Sequence, residues 1–252
     1  MSRNYSLPDY NEYRLQAKER IWYTAQGLFL VAVIGYFFYR SWLACIGLMP
    51  VLYLFLREKK KELAKKQRQE LSMQFKDLIL TVSANQRAGY SIENAFRESY
   101  KDMAMLYGGK GIICTELKHI MTGLDNNIVL EQLLYNLGMR SGLPDIVQFA
   151  DVFIIAKRSG GNMTDILAKT AAVIEQKTET DKEIQLMISA KKMEQKIMNM
   201  VPFLIILYVG STSKGFFDVL YHNLIGIIVM TACLGFYLAA YLLSKRIVDI
   251  EV

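Results

Sequence analysis

The chain has 252 residues, 52% of them hydrophobic and 21% charged, and a net charge of +6. That mixture is too apolar for an average soluble domain and too charged for a protein lying wholly in a bilayer. Three cysteines, at 45, 114 and 233, and two histidines, at 119 and 222, are too scattered for a disulfide framework, a zinc site or a histidine-based triad.

In chain order, residues 1–20 carry Arg3, Arg14, Lys18 and Arg20, and residues 21–39 then carry no charge. A helix over that run is about 28 Å long, enough for a hydrocarbon core. A cleavable signal peptide fits poorly, because twenty residues precede the run and a second uncharged run, 42–56, follows Arg40 and Ser41. The arrangement recurs near the other end, where 198–213 and 219–243 are uncharged and only Lys214 to Asp218 intervene. These spans hold no ionisable side chain of the kind that an ion-coupled transporter keeps at depth. Pro202, Gly210, Gly226 and Gly235 read as packing residues within them.

Residues 57–68 contain seven basic and two acidic side chains, Lys245 and Arg246 follow the last run, and the short connecting turns hold only Arg40 and Lys214. Lys and Arg collect on the cytoplasmic side, so both termini and the centre are expected there. The basic run reads as topology and lipid-headgroup contact, and nucleic acid is not expected as a partner. The sequence thus predicts an all-α polytopic membrane protein with four transmembrane helices. Two hairpins, 21–56 and 197–243, flank a cytoplasmic helical bundle at 57–196, with a cytoplasmic N-terminal segment at 1–20 and a cytoplasmic tail at 244–252.

Within 57–196 apolar residues recur every three or four positions. Leu71, Phe75, Leu78, Ile79 and Val82 form one stripe, ended by Gly89 in a left-handed cap position. Ser91 is an N-cap, with Glu93 in the first turn where the helix dipole favours a carboxylate. The break from Tyr107 to Gly111 is glycine-rich, but it follows a helix and lacks the Gly-Lys-Ser/Thr ending of a phosphate loop. Helices are predicted over 113–124 and 128–139, with Asp125 to Asn127 as the turn. Pro144 opens another, whose buried face is Ile146, Phe149, Val152, Phe153 and Ala156. Gly160 and Gly161 end that helix, and Asn162 caps the next. From Met163 the pattern is helical, but 175–183 is almost wholly polar, so either one long helix or two helices meeting near 178–180 would satisfy it.

Chemistry is thin. Glu93, Glu98, Glu116, Asp125 and Glu131 are the carboxylates that could gather around a hard cation, although solvated helix faces explain them as well. No catalytic residue, cofactor or metal is expected, and the chain does not read as an enzyme.

Residues Leu78-Ile-Leu-Thr-Val-Ser-Ala-Asn-Gln-Arg-Ala-Gly-Tyr-Ser-Ile-Glu-Asn-Ala-Phe96 resemble the hydrophobic helix, Ala-Gly turn and Ser-capped helix of the type II secretion F domain. Arg158-Ser-Gly-Gly-Asn-Met-Thr-Asp-Ile-Leu167 is similar to a segment of that family's tight-adherence (Tad) pilus branch. Leu143-Pro144 and Ala190-Lys-Lys-Met-Glu-Gln-Lys-Ile-Met198, followed by Val201-Pro202, continue the likeness. The resemblance implies a platform protein of a type IV pilus or type II secretion machine in the cytoplasmic (inner) membrane. Its implied partners are a hexameric assembly ATPase, a second F-domain platform subunit in a homo- or hetero-oligomer, pilin and the lipid bilayer. Two departures stand out. The chain has one F domain rather than two, and Lys157 stands where secretion-type members often carry a glutamate, which argues against transferring their acidic or calcium-site features. Gly89, Ser91, Pro144, Gly160, Gly161 and Asn162 are then turn and cap positions, while Glu93, Arg140, Arg158 and Glu194 are candidates for partner contacts, as charges beside motif turns. A membrane-anchored signalling or docking adaptor, which needs a ligand pocket between spans, is the alternative.

Overall fold

The computed structural model describes residues 8–10, 15, 17–39, 49–159, 163–213 and 224–248, and among these helix residues 36–39, 224–225, 227, 245 and 248 are described by backbone alone. All regular elements among the described residues are helices: α1 (Ala17–Tyr39), α2 (Met49–Arg87), α3 (Ile92–Tyr107), α4 (Ile112–Asp125), α5 (Leu130–Ser141), α6 (Pro144–Ser159), α7 (Met163–Thr212) and α8 (Leu224–Val248). The chain divides into two compact units, Met1–Arg14 with Lys60–Thr180, and Leu15–Lys59 with Asp181–Val252. Helices α2 and α7 contribute to both.

The first unit is a bundle around one apolar core. The stripe predicted on α2 is buried throughout, and Phe75 meets Phe149 of α6 edge-on, with ring centroids 5.3 Å apart. Aromatic pairs favour this geometry because the positive ring edge faces the negative ring face. Ile113, Leu117 and Ile120 of α4, with Leu130, Leu134 and Leu137 of α5, close the core from the other side. Helix α6 differs from expectation in one residue. Val152 is 41% exposed, and Ala150 takes the buried place beside Phe149 and Phe153. The buried stripe runs 146, 149, 150, 153, 156, and Val152 lies at its edge.

The turns follow from their residues. Helix α2 ends in a six-residue closing motif: Tyr90 N–H donates to the Asn85 carbonyl at 3.3 Å and Gly89 N–H to that of Gln86 at 3.0 Å. Gly89 sits at φ +96°, where a side chain is strained. Ser91 caps α3, its hydroxyl accepting from Asn94 N–H at 3.4 Å. The turn after α4 repeats the motif without glycine. Asn127 adopts φ 60°, and Ile128 N–H reaches the Gly123 carbonyl at 2.9 Å. Pro144 opens α6, where its missing N–H costs nothing. Helices α5 and α6 approach closely at Gly138, where a Cβ would lie 3.1 Å from Val147 Cα.

The choice left open over 175–183 is settled in favour of one helix, since α7 runs unbroken for 50 residues. The helix continues through its threonines, whose hydroxyls donate to carbonyls one turn back, Thr178 to Ile174 at 2.7 Å and Thr180 to Gln176 at 3.0 Å.

In the second unit α1 packs on α8 through Val31, Ile34, Met230 and Leu234, with Val51, Leu52, Phe203 and Tyr237 around them. Gly27 lies so near Leu52 that a Cβ would be 2.4 Å from its Cδ1, whereas Gly235 faces open space and mediates no packing. Among the described residues no helix is long and apolar enough to cross a membrane, so the expected four spans find no support there. Residues 42–48 and 219–223 of the predicted spans, and the side chains at 36–39, lie outside the described residues. The connecting turns, including Arg40, Lys214 and His222, lie outside the described residues.

Replacing Gly89 by Ala is expected to destabilise the first unit by about 1–2 kcal/mol, and Ser91→Ala by about 1 kcal/mol. Urea denaturation followed by circular dichroism measures both. A Gly89→Ala variant as stable as the parent contradicts the left-handed cap.

Candidate functional site

The charged side chains of the first unit assemble into pairs that join one helix to another. The most buried is Glu116 of α4, only 1% exposed. It falls on the apolar stripe, three residues after Ile113 and four before Ile120. A carboxylate there must be fully partnered, because an unpaired buried charge is costly. Arg140, in the last turn of α5, supplies a two-pronged bond: Nη1 to Oε1 at 3.0 Å and Nη2 to Oε2 at 2.6 Å. Tyr10 completes the shell, its phenol donating to Glu116 Oε1 at 2.7 Å. Tyr10 N–H also donates to the Arg140 carbonyl at 3.1 Å, and Arg140 Nη1 donates to the Pro8 carbonyl at 3.0 Å. Burial raises the pKa of the Tyr10 phenol, and the Glu116 charge and hydrogen bond raise it further against the opposing Arg140. The phenol therefore remains a donor across the physiological range.

A second assembly centres on Lys157 of α6. Its Nζ lies 3.2 Å from Glu93 Oε1 of α3 and 3.1 Å from Glu131 Oε2 of α5, tying three helices together. Desolvation lowers the Lys157 pKa, but bonds to the two carboxylates outweigh it and raise the value overall. Desolvation raises that of Glu131, but its own backbone N–H and Lys157 outweigh it and hold it low. In a third assembly the Tyr107 hydroxyl donates to Asp77, and burial with that bond pushes the phenol pKa up to about 12. Further pairs are Arg97–Asp125 at 2.5 Å and Lys177–Asp145 at 2.6 Å.

This pairing accounts for the carboxylates considered for a cation. Glu93 and Glu131 share Lys157, Glu98 pairs with Lys101, Glu116 with Arg140 and Asp125 with Arg97. Among the described residues no three metal-ligating side chains come together. His119 is half-buried on α4, and Cys114 is buried in the core, which raises its thiol pKa.

The four partner-contact candidates do not form one cluster. Glu93 lies in the Lys157 assembly, and Arg158 is exposed beside it, close enough to act electrostatically on Glu131. Arg140 is committed to Glu116. Glu194 belongs to the other unit and pairs with Lys191 at 3.0 Å. Gly160, Gly161 and Asn162 lie outside the described residues. Sequence reasoning missed the Tyr10–Glu116–Arg140 assembly, although a glutamate at stripe spacing was its visible signal.

Residues 78–210, just over half of the chain, match the family described as type II secretion system (T2SS), protein F, and the chain belongs to that family. No curated protein and no solved structure matches it. The family is one of platform proteins of secretion and pilus machines, generally of the inner membrane, that work with a secretion ATPase and other platform subunits.

Two outcomes are expected from the ion pairs. Arg140→Met strands Glu116 in the core and should cost about 3–5 kcal/mol, more than Glu116→Gln, which leaves Arg140 with some access to water. Equal losses in chemical denaturation contradict the assigned asymmetry. For the Glu131–Lys157 pair, Glu131 titrates below its unfolded value of 4.5, so its contribution is full above that pH and lost as pH falls through the lower folded value. Lys157 works oppositely, contributing below 10.5 and losing its effect as pH rises through the higher folded value. Lys157→Met should remove both limbs and cost about 0.5–1 kcal/mol at neutral pH. Unchanged pH dependence of the melting temperature contradicts the pairing.

Proposed function

We propose that this chain is a non-enzymatic platform subunit of a Tad-like type IV pilus or type II secretion machine, coupling a hexameric assembly ATPase to the insertion or export of pilin. Two hairpins, 21–56 and 197–243, hold it in the cell membrane, with both termini and the first unit cytoplasmic. A second F-domain subunit completes the platform, because this chain carries one F domain. Glu93, Arg158 and Glu194 are the contact candidates toward the ATPase or the neighbouring subunit, and Arg140 joins them where its internal pair opens.

The observation that carries this reading is the match over residues 78–210, joined to the apolar exterior of the second unit. Phe29 is 73% exposed, Leu207 53% and Phe236 78%. Exposed apolar surface on this scale marks contact with lipid or with another protein. Uncharged runs at 21–39 and 219–243, and the basic excess at 57–68, support lipid and the orientation given.

Co-purification tests the coupling. The wild-type chain should retain the secretion assembly ATPase of the same cell, and Arg158→Glu should weaken retention about tenfold; failure of the wild type to bind contradicts the proposal. Reporter fusions after Leu106 should report a cytoplasmic location, and an extracellular signal overturns the topology.

A further inference from the structure

The bundle contains a contact made from outside its own helices. Residues 8–10 reach a site formed by α4 and the last turn of α5, across 106 and 132 positions of sequence. They are read there as an extended peptide is read. Two main-chain groups are bonded, Tyr10 N–H by the Arg140 carbonyl and the Pro8 carbonyl by Arg140 Nη1, while the phenol enters the core at 2% exposure and ends on Glu116. Main-chain bonds combined with one side-chain pocket are the pattern of peptide recognition sites.

We propose that this Glu116–Arg140 site is a peptide-binding site, and that the segment Pro8–Tyr10 is its ligand in cis, a strap that can leave and return. Two features of the site fit a removable occupant. The phenol oxygen ends on an ion pair, so departure of the strap opens charges that water solvates, beside the apolar core side chains that the ring covers. One donor also stays open: Arg140 Nε is buried without a hydrogen-bond partner among the described residues, so the guanidinium keeps a bond for an acceptor that residues 8–10 do not supply. The ligand class follows from the contacts. It is an extended segment with a main-chain carbonyl two residues before a tyrosine, the phenol bonding a carboxylate and the carbonyl bonding a guanidinium. While the strap is seated, its Pro8 carbonyl occupies Arg140 Nη1 and denies that donor to another segment.

The test uses the full chain in detergent and a fluorescein-labelled synthetic peptide of residues 4–16, with fluorescence polarisation as the readout. The Tyr10→Ala chain, whose strap is weakened, should bind the peptide saturably. The wild-type chain should bind it at least about tenfold more weakly, because a tethered strap competes at an effective concentration of roughly millimolar. A peptide carrying Tyr10→Phe should lose about tenfold, the scale of one hydrogen bond to a charged acceptor. No saturable binding to the Tyr10→Ala chain, or equal binding by a peptide carrying Tyr10→Ala, overturns the proposal. Loss of helical circular dichroism in the Tyr10→Ala chain overturns it as well, since the segment is then a part of the core and not a ligand.

Discussion

A buried carboxylate is the constraint around which the first unit is arranged. Glu116 occupies a position that helix periodicity reserves for an apolar side chain, and α4 can pack there only if that charge is answered from outside its own helix. The answer fixes several things together. Arg140 must lie in the last turn of α5, so the α4–α5 turn must bring that turn back alongside residue 116, and Asn127 in its left-handed conformation provides the reversal. Gly138 then lets α6 approach α5 closely, which carries Phe149 to Phe75 and closes the core. The N-terminal segment supplies the last bond, so residues far outside the helical bundle in sequence become part of it in space.

The same principle governs the remaining charges. Lys157 draws α3, α5 and α6 together, Arg97 holds the end of α4, and Lys177 ties α7 to α6. Partly exposed pairs of this kind add little stability each, but their geometry is directional in a way that apolar contact is not. They fix which helix neighbours which. A platform has this requirement, since its work is to present surfaces in a defined arrangement rather than to carry out a reaction.

Much of the bundle was legible because its signals are local. The α2 stripe, the Gly89 closure, the Ser91 cap and Pro144 at the head of α6 depend on residues within a turn or two of one another. Two features were hidden for the opposite reason. The polar stretch of α7 carries no apolar stripe and no glycine or proline stop, so its continuity as one helix could not be read from periodicity. The Tyr10 contact spans 106 residues, beyond the reach of any periodicity. Val152 shows a milder form of the same limit: it lies at the edge of the apolar stripe of α6, and the packed helix buries Ala150 instead. The partner surface was the least legible, because charges beside turns serve internal pairing and external contact alike.

A platform subunit of this kind must turn the exposed end of α6 toward another protein. A photo-crosslinking amino acid placed at Arg158 in living cells measures this directly. Crosslinks to the assembly ATPase or to a second F-domain subunit, formed while pili assemble and lost when the ATPase is absent, are the expected result. Labelling confined to lipid, or no crosslink at all at a position that is open to solvent, contradicts the platform reading.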